Sequence, residues 1–268
     1  MVTDFHTHAF PDSLAERAVQ TLQQEKYADG AVLDGKASSL LASMDRAGIG
    51  RSVICSIATR PDQFANIVTW CRSVASPRLV PLASIHPSDP AAVANVGRVA
   101  EAGLKGIKLH PYFQQFVLDD PDLLPFFREL ARRQLLVVCH TGFDIGFPRD
   151  RICDPARVRN LLDRVPDLRL ITTHTGGWQD WFEVRRHLLG RPVYMEISYT
   201  LCVLSREEGR DLLQAHAPGY LLFGTDSPWR DQGESLQLLR DLDLPPTLER
   251  AILETNASLL LDGEHCRS

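Results

Sequence analysis

Eight short apolar, β-branched runs alternate with longer amphipathic segments along the 268 residues, and each run ends in polar residues, Gly or Pro. The runs are VTDFHTHA from Val2, RSVICSIA from Arg51, LVPLASIHP from Leu79, LKGIKLHP from Leu104, LLVVCHTG from Leu135, RLITTHTGG from Arg169, VYMEISYT from Val193 and YLLFGTDSPW from Tyr220. Helix-like stretches from Ser39, Pro61, Pro121 and Pro155 fall between them, with the Ser, Asp or Pro that helix N-termini prefer. Eight strand-helix units in this length predict an α/β chain folded as a single (β/α)8 barrel spanning 1–268. The near-continuous apolar character of the runs fits a parallel sheet buried on both faces. An open doubly wound sheet usually carries a Gly-rich phosphate turn, and neither G-x-G-x-x-G nor G-x-x-x-x-G-K-[ST] occurs. Segments at roughly 26–37, 111–120 and 143–154 are expected to loop over the barrel mouth, and the tail after the eighth run to form the last helices.

Composition narrows the partners. Hydrophobic residues are 44% and charged residues 24%, enough for a full core, and the net charge of −5 comes with no basic block. That balance gives no electrostatic footprint for nucleic acid or an anionic membrane, so a small-molecule substrate is expected. Six scattered cysteines without a C-x-x-C pair read as reduced thiols, which suggests a cytoplasmic setting. No apolar run approaches the roughly 18–20 residues that cross a bilayer. Barrels of this kind often pair through outer helices, so a homodimer is the expected assembly, although no predicted helix has an unusually apolar outer face.

Six of the nine histidines fall at strand ends. His6 and His8 share a parity with Asp4 on the first strand; His86 ends the third, His110 the fourth after Lys108, His140 the fifth, His174 the sixth, and Asp226 the eighth. Active sites of such barrels sit on this carboxyl-end face. Two imidazoles at i and i+2, joined by His and Asp donors from neighbouring strands, make an N/O site suited to a divalent metal: Zn2+ first, Mn2+ or Fe2+ next. A lone strand-end histidine is usually structural, and it is the constellation that points to metal.

The ordered motifs DFHTHAFPD, VVCHTG, ITTHTGGW, LLFGTDSPW and ETNASLLL resemble the amidohydrolase superfamily, and more closely its branch of compact metal-dependent barrels that includes both a decarboxylase and a lactonase. The resemblance runs essentially end to end. It implies His6, His8 and His140 as ligands of the metal, with Asp226 as both ligand and proton acceptor. His174 would ligate a second metal or polarise substrate and water, and Lys108 would bridge two metals as a carbamate, pair with a substrate carboxylate or line the mouth. His86, His110, Trp178, Trp229 and Arg149 are candidate substrate contacts; Phe113, Arg151 and Arg230 also lie near the mouth, and Glu196 is either a mouth residue or a salt-bridged scaffold group. The expected chemistry is hydrolysis of an ester, lactone or amide by metal-activated water. Alternatives are non-oxidative decarboxylation, which calls for a carboxylate clamp such as an Arg facing the metal, a TatD-like nuclease, and a non-catalytic barrel that only binds.

Overall fold

The computed structural model describes residues 1–26 and 30–263. His265 and Cys266 lie outside the described residues, as does part of the predicted 26–37 loop. All eight expected strands are present: β1 Thr3–Thr7, β2 Arg51–Cys55, β3 Leu79–Leu82, β4 Gly106–Leu109, β5 Leu136–Cys139, β6 Arg169–Thr172, β7 Tyr194–Glu196 and β8 Leu221–Leu222. Every pair is parallel, in two arcs ordered β1-β2-β3 and β4 to β8. Hydrogen bonds join the arcs at both seams. Ala83 N–H donates to Gly106 O (3.1 Å) and Lys108 N–H to Ala83 O (2.8 Å); Phe5 N–H donates to Phe223 O and Asp226 N–H to His6 O, each at 2.7 Å. The result is the (β/α)8 barrel.

Alternation along the strands sorts side chains into two cores. Val53, Leu82, Leu136, Val138, Ile171 and Leu222 point inward with Phe5, and the helix Asn256–Asp262 contributes Ala257, Leu260 and Leu261 to the same cluster, flooring the barrel. The opposite parity, including Ile54, Ile107, Val137, Leu170 and Leu221, meets the outer helices. Continuing the inward parity up each strand gives Cys55, Lys108 and His140, all of which line the cavity at the carboxyl end.

β1 departs from simple alternation. Its pairing with β2 runs Thr3↔Arg51 and Asp4↔Ser52, then jumps to Thr7↔Ile54. The extra residue is a β-bulge that re-aims the strand, so Phe5 faces inward low in the barrel while His6 and His8 face inward above it. Asp4 therefore does not share the cavity with them, as strict parity would have it. Its carboxylate accepts from Thr225 Oγ1 (2.6 Å) and Gln232 Nε2 (2.7 Å), bracing β1 to the segment after β8.

The outer helices follow the sequence signals. Asp154 caps Pro155–Arg164 by accepting from Arg157 N–H, and Asp231 caps Gln232–Arg240 by accepting from Glu234 N–H. Among the described residues, no helix is long and apolar enough to cross a membrane. Asn256 ties the floor helix to the eighth strand, donating through Nδ2 to Pro218 O and Leu221 O, both at 2.8 Å. Asn256→Ala strips two carbonyls of their donor and is expected to cost about 1–3 kcal/mol. Thermal denaturation followed by circular dichroism should show Tm lowered by several degrees; an unchanged Tm would remove this tie from the stability of the barrel.

Candidate metal centre and cavity

A cavity of about 210 Å3 opens at the carboxyl end of the strands. His6, His8, Lys108, His110, His140, His174 and Asp226 all line it, as do Trp178, Trp229 and Phe113. His86 and Arg149 lie elsewhere. The His86 ring bonds Ser88 Oγ (2.8 Å), whereas Arg149 donates to Gln179 Oε1 and stacks over Phe143, 4.0 Å from its centroid. Arg151 is taken by Asp154 and Asp180, and Arg230 sits over the Tyr199 ring. Among the described residues no arginine lines the cavity, and Lys108 is its one cation.

The donor atoms themselves test whether a metal fits. His8 Nδ1 lies 2.7 Å from Cys55 O, a contact it can make only by donating, so Nε2 carries the lone pair. His6 Nδ1 lies 2.9 Å from Glu196 Oε1, and donation there leaves its Nε2 equally bare. The two bare nitrogens are 3.2 Å apart. Asp226 Oδ1 stands 3.3 Å from His6 Nε2 and 3.0 Å from His8 Nε2, and no hydrogen-bond donor serves it. Ligands bonded at roughly 2.0–2.1 Å to one ion are separated by about 3.0–3.4 Å, so these three donors already form one face of a coordination shell. Lys108 Nζ, 3.0 Å from His6 Nε2, satisfies only one of the three lone pairs. The residues fit a divalent cation.

Surroundings hold these donors in their binding forms. Burial, reinforced by the Lys108 charge, pushes His6 well below the usual imidazole range and keeps it neutral. Burial works to raise the Asp226 carboxyl, but the His6 and His8 imidazoles outweigh it and hold the group well below the usual range, hence ionised. Glu196 is fully buried, and burial pushes its carboxyl upward. It receives His174 N–H (3.0 Å), Ser198 N–H (2.8 Å) and Ser198 Oγ (2.9 Å) in addition to His6. One carboxylate thus orients a ligand on β1 and the backbone after β6. Gly224 makes room for it, because a Cβ there would collide with the Glu196 carboxylate.

His140 and His174 form a neighbouring pair rather than part of the same triangle. His140 donates through Nε2 to Phe143 O (3.0 Å), turning Nδ1 toward His174 Nε2 at 3.3 Å. Burial drives both toward neutrality, His140 down to about 3 and His174 to about 4. The His174 ring centroid lies 5.7 Å from that of His6, and Trp178 packs edge-on against it. His174 and Asp226 both have positive φ (55° and 63°), a conformation that costs a non-glycine residue about 1–3 kcal/mol. The hydrogen bonds from His174 N–H to Glu196 and from Asp226 N–H to His6 O hold them there. Sequence periodicity carries no sign of this strain, nor of Asp144, whose carboxylate lines the cavity beside His110 and His140.

The amidohydrolase family model matches residues 3–262. The chain belongs to the amidohydrolase family. Solved structures resemble the chain over nearly their whole length. An uncharacterized TIM-barrel protein from Bordetella bronchiseptica has 18% identity and a TM-score of 0.80, covering 97% of this chain and 98% of that one. The 2,6-dihydroxybenzoate decarboxylase from Rhizobium has 17% identity and a TM-score of 0.70, covering 98% and 99%. A 5-carboxyvanillate decarboxylase from Novosphingobium aromaticivorans, solved with manganese and 4-hydroxy-3-methoxy-5-nitrobenzoic acid, has 15% identity and a TM-score of 0.71, covering 97% and 95%. No curated protein sequence matches the chain.

The oriented donors predict distinct effects on metal affinity. In chelator competition, His8→Ala should abolish tight binding at this centre. Glu196→Gln, which leaves every ligand in place, should weaken it roughly 10–100-fold, the usual effect of losing a carboxylate that orients a ligating imidazole. Wild-type affinity in Glu196→Gln would make Glu196 scaffold only.

Proposed function

We propose that this amidohydrolase-family enzyme is a metal-dependent, non-oxidative decarboxylase of a carboxylated small molecule. The observation that carries the reading is the make-up of the cavity. Phe10, Ile57, Phe113, Trp178 and Trp229 wall it, and a single ammonium, Lys108, lies at its base against the donor triangle. Such a space suits an acid with a flat apolar body, held by its charged end where the cations gather. Two of the solved barrels that resemble this chain are decarboxylases, of 2,6-dihydroxybenzoate and of 5-carboxyvanillate. Of the three roles open to Lys108 in the sequence, this reading takes the pairing with a substrate carboxylate, the clamp for which an arginine facing the metal was the other candidate.

Decarboxylation converts R–CO2− and H+ into R–H and CO2: the C–C electron pair stays on carbon, which takes the proton. His6, His8 and Asp226 would hold a divalent cation, Zn2+ or Mn2+ by donor type, and when bound it would supply Lewis acidity toward a substrate oxygen. Lys108 pairs with an acidic oxygen, and the aromatic walls stack the body and exclude water. Asp226 is rarely protonated, and for that reason it is a strong acid when it does carry a proton, as delivery to a weakly basic carbon demands. His174, neutral and fixed by Ser198, is placed to hydrogen-bond a substrate oxygen.

A second reading, hydrolysis of an ester, lactone or amide, is favoured by the same ionised Asp226, since that is the form in which it accepts a proton from water. One experiment separates the two. Metal-loaded enzyme is offered panels of aromatic and unsaturated acids, with CO2 as readout, and panels of esters, lactones and amides, with acid release as readout. CO2 formation that falls by several orders of magnitude in Asp226→Asn is expected. Acid release without CO2 from any substrate would replace decarboxylation by hydrolysis.

A further inference from the structure

On the β4 and β5 side of the cavity, away from the His6, His8 and Asp226 triangle, a second carboxylate lines the wall. We propose that Asp144 is a specificity-determining residue, its carboxylate accepting a hydrogen bond from an O–H or N–H group on the edge of the substrate opposite the acidic group that Lys108 pairs. The proposal rests on the reading that the substrate is a carboxylic acid seated at Lys108, and it narrows that class to flat acids carrying a hydroxyl or amino group on the far edge. Asp144 and its neighbour His110 are both at least nine-tenths buried.

Hydrogen bonding around Asp144 is incomplete. Oδ1 accepts from Gly146 N–H at 2.7 Å. Oδ2 has no comparable donor among the described residues: His110 Nε2 stands 3.4 Å away, a long contact, and His140 Nε2, at 3.9 Å, already donates to Phe143 O. His110 Nδ1 is likewise buried with no hydrogen-bond partner. Buried polar groups are ordinarily paired, and one left short of a donor is costly unless something entering the cavity supplies it. Burial works to raise the Asp144 carboxyl, but His110 and His140 hold it below the usual range, so the group accepts and does not donate.

Position supplies the orientation. Lys108 Nζ lies 3.0 Å from His6 Nε2, and the cavity wall runs from His6 to His174, with ring centroids 5.7 Å apart, then to His140, a further 5.0 Å, and so to Asp144. A flat body whose acidic group pairs with Lys108 therefore presents its far edge to Asp144. The Asp144 charge repels a carboxylate, so an acid enters one way round. An apolar setting sharpens the choice: Phe113 packs edge-on against His110, centroids 4.6 Å apart, and Trp178 lines the same cavity. A substrate without the donor leaves a buried carboxylate unpaired, and sites built to bond a substrate O–H or N–H discriminate strongly against analogues that lack it.

Equilibrium binding to the metal-loaded enzyme tests this without turnover. Isothermal titration calorimetry is run with benzoate and with pairs of benzoates that carry either a hydroxyl or a fluorine at the meta or para position; fluorine is close to a hydroxyl in size and has no proton to give. In at least one pair the hydroxy acid should bind about tenfold or more tighter than its fluoro partner, as a hydrogen bond to a buried charge requires. Asp144→Asn, whose amide is neutral, should shrink that ratio to about threefold or less. Asp144→Ala serves if Asp144→Asn does not fold, and the wild-type ratio is a test by itself. Equal binding of hydroxy and fluoro acids to wild type, or an undiminished ratio in a folded Asp144 variant, would overturn the proposal and leave the decarboxylase reading standing. Failure of every acid to bind, benzoate included, would overturn both, whereas the expected ratios in an enzyme that releases no CO2 would refute decarboxylation alone.

Discussion

The seam between β1 and β8 is the constraint on which both fold and site depend. Phe5 N–H and Asp226 N–H donate across it, and the bulge between Asp4 and Thr7 sets which β1 side chains reach the cavity. The same pairing that completes the barrel brings His6, His8 and Asp226 within one coordination shell. Asp4 shows what the seam costs: burial pushes its carboxyl up to about 7, against the pull of Gln232, Thr225 and the His6 N–H. A buried acid with that many donors is a brace, and it stiffens the segment from which Asp226 projects.

Charge at the top of the barrel is unbalanced. Asp144 and Asp226 line the cavity and Glu196 lies directly behind it, while Lys108 is the one cation among the described lining residues. His6, His140 and His174 between them are pushed toward neutrality by burial and supply lone pairs, not charge. An environment of this kind attracts divalent cations and then, through them, an anionic substrate. The apolar walls decide what the remainder of that substrate looks like.

Much of this was legible in the sequence because the signals were local. Eight apolar runs named eight strands, and polar residues at run ends marked the face that carries the cavity. The groups that needed three dimensions were those whose roles arise from partners far along the chain. Glu196 is an orienting group only because Gly224 leaves space for it and His6 and His174 converge on it. Asp4 shared parity with His6 on paper, and a one-residue bulge removed it from the cavity. Asp144 lies four residues past His140 in an irregular loop, where no periodicity applies, and His86 and Arg149 occupy suggestive positions yet bond to local partners instead.

The join between the first and last strands also bears on how the chain comes to fold. About two hundred residues separate Phe5 from Phe223, and the floor helix Asn256–Asp262 follows later still. On a ribosome, the amino-terminal arc is made long before its closing partner emerges, leaving β1 with an unpaired edge. Closure is therefore a late, long-range step that carries a large loop-entropy cost. The site residues on β1 acquire their geometry only at that step, so metal added during refolding meets a competent site no sooner than a closed barrel.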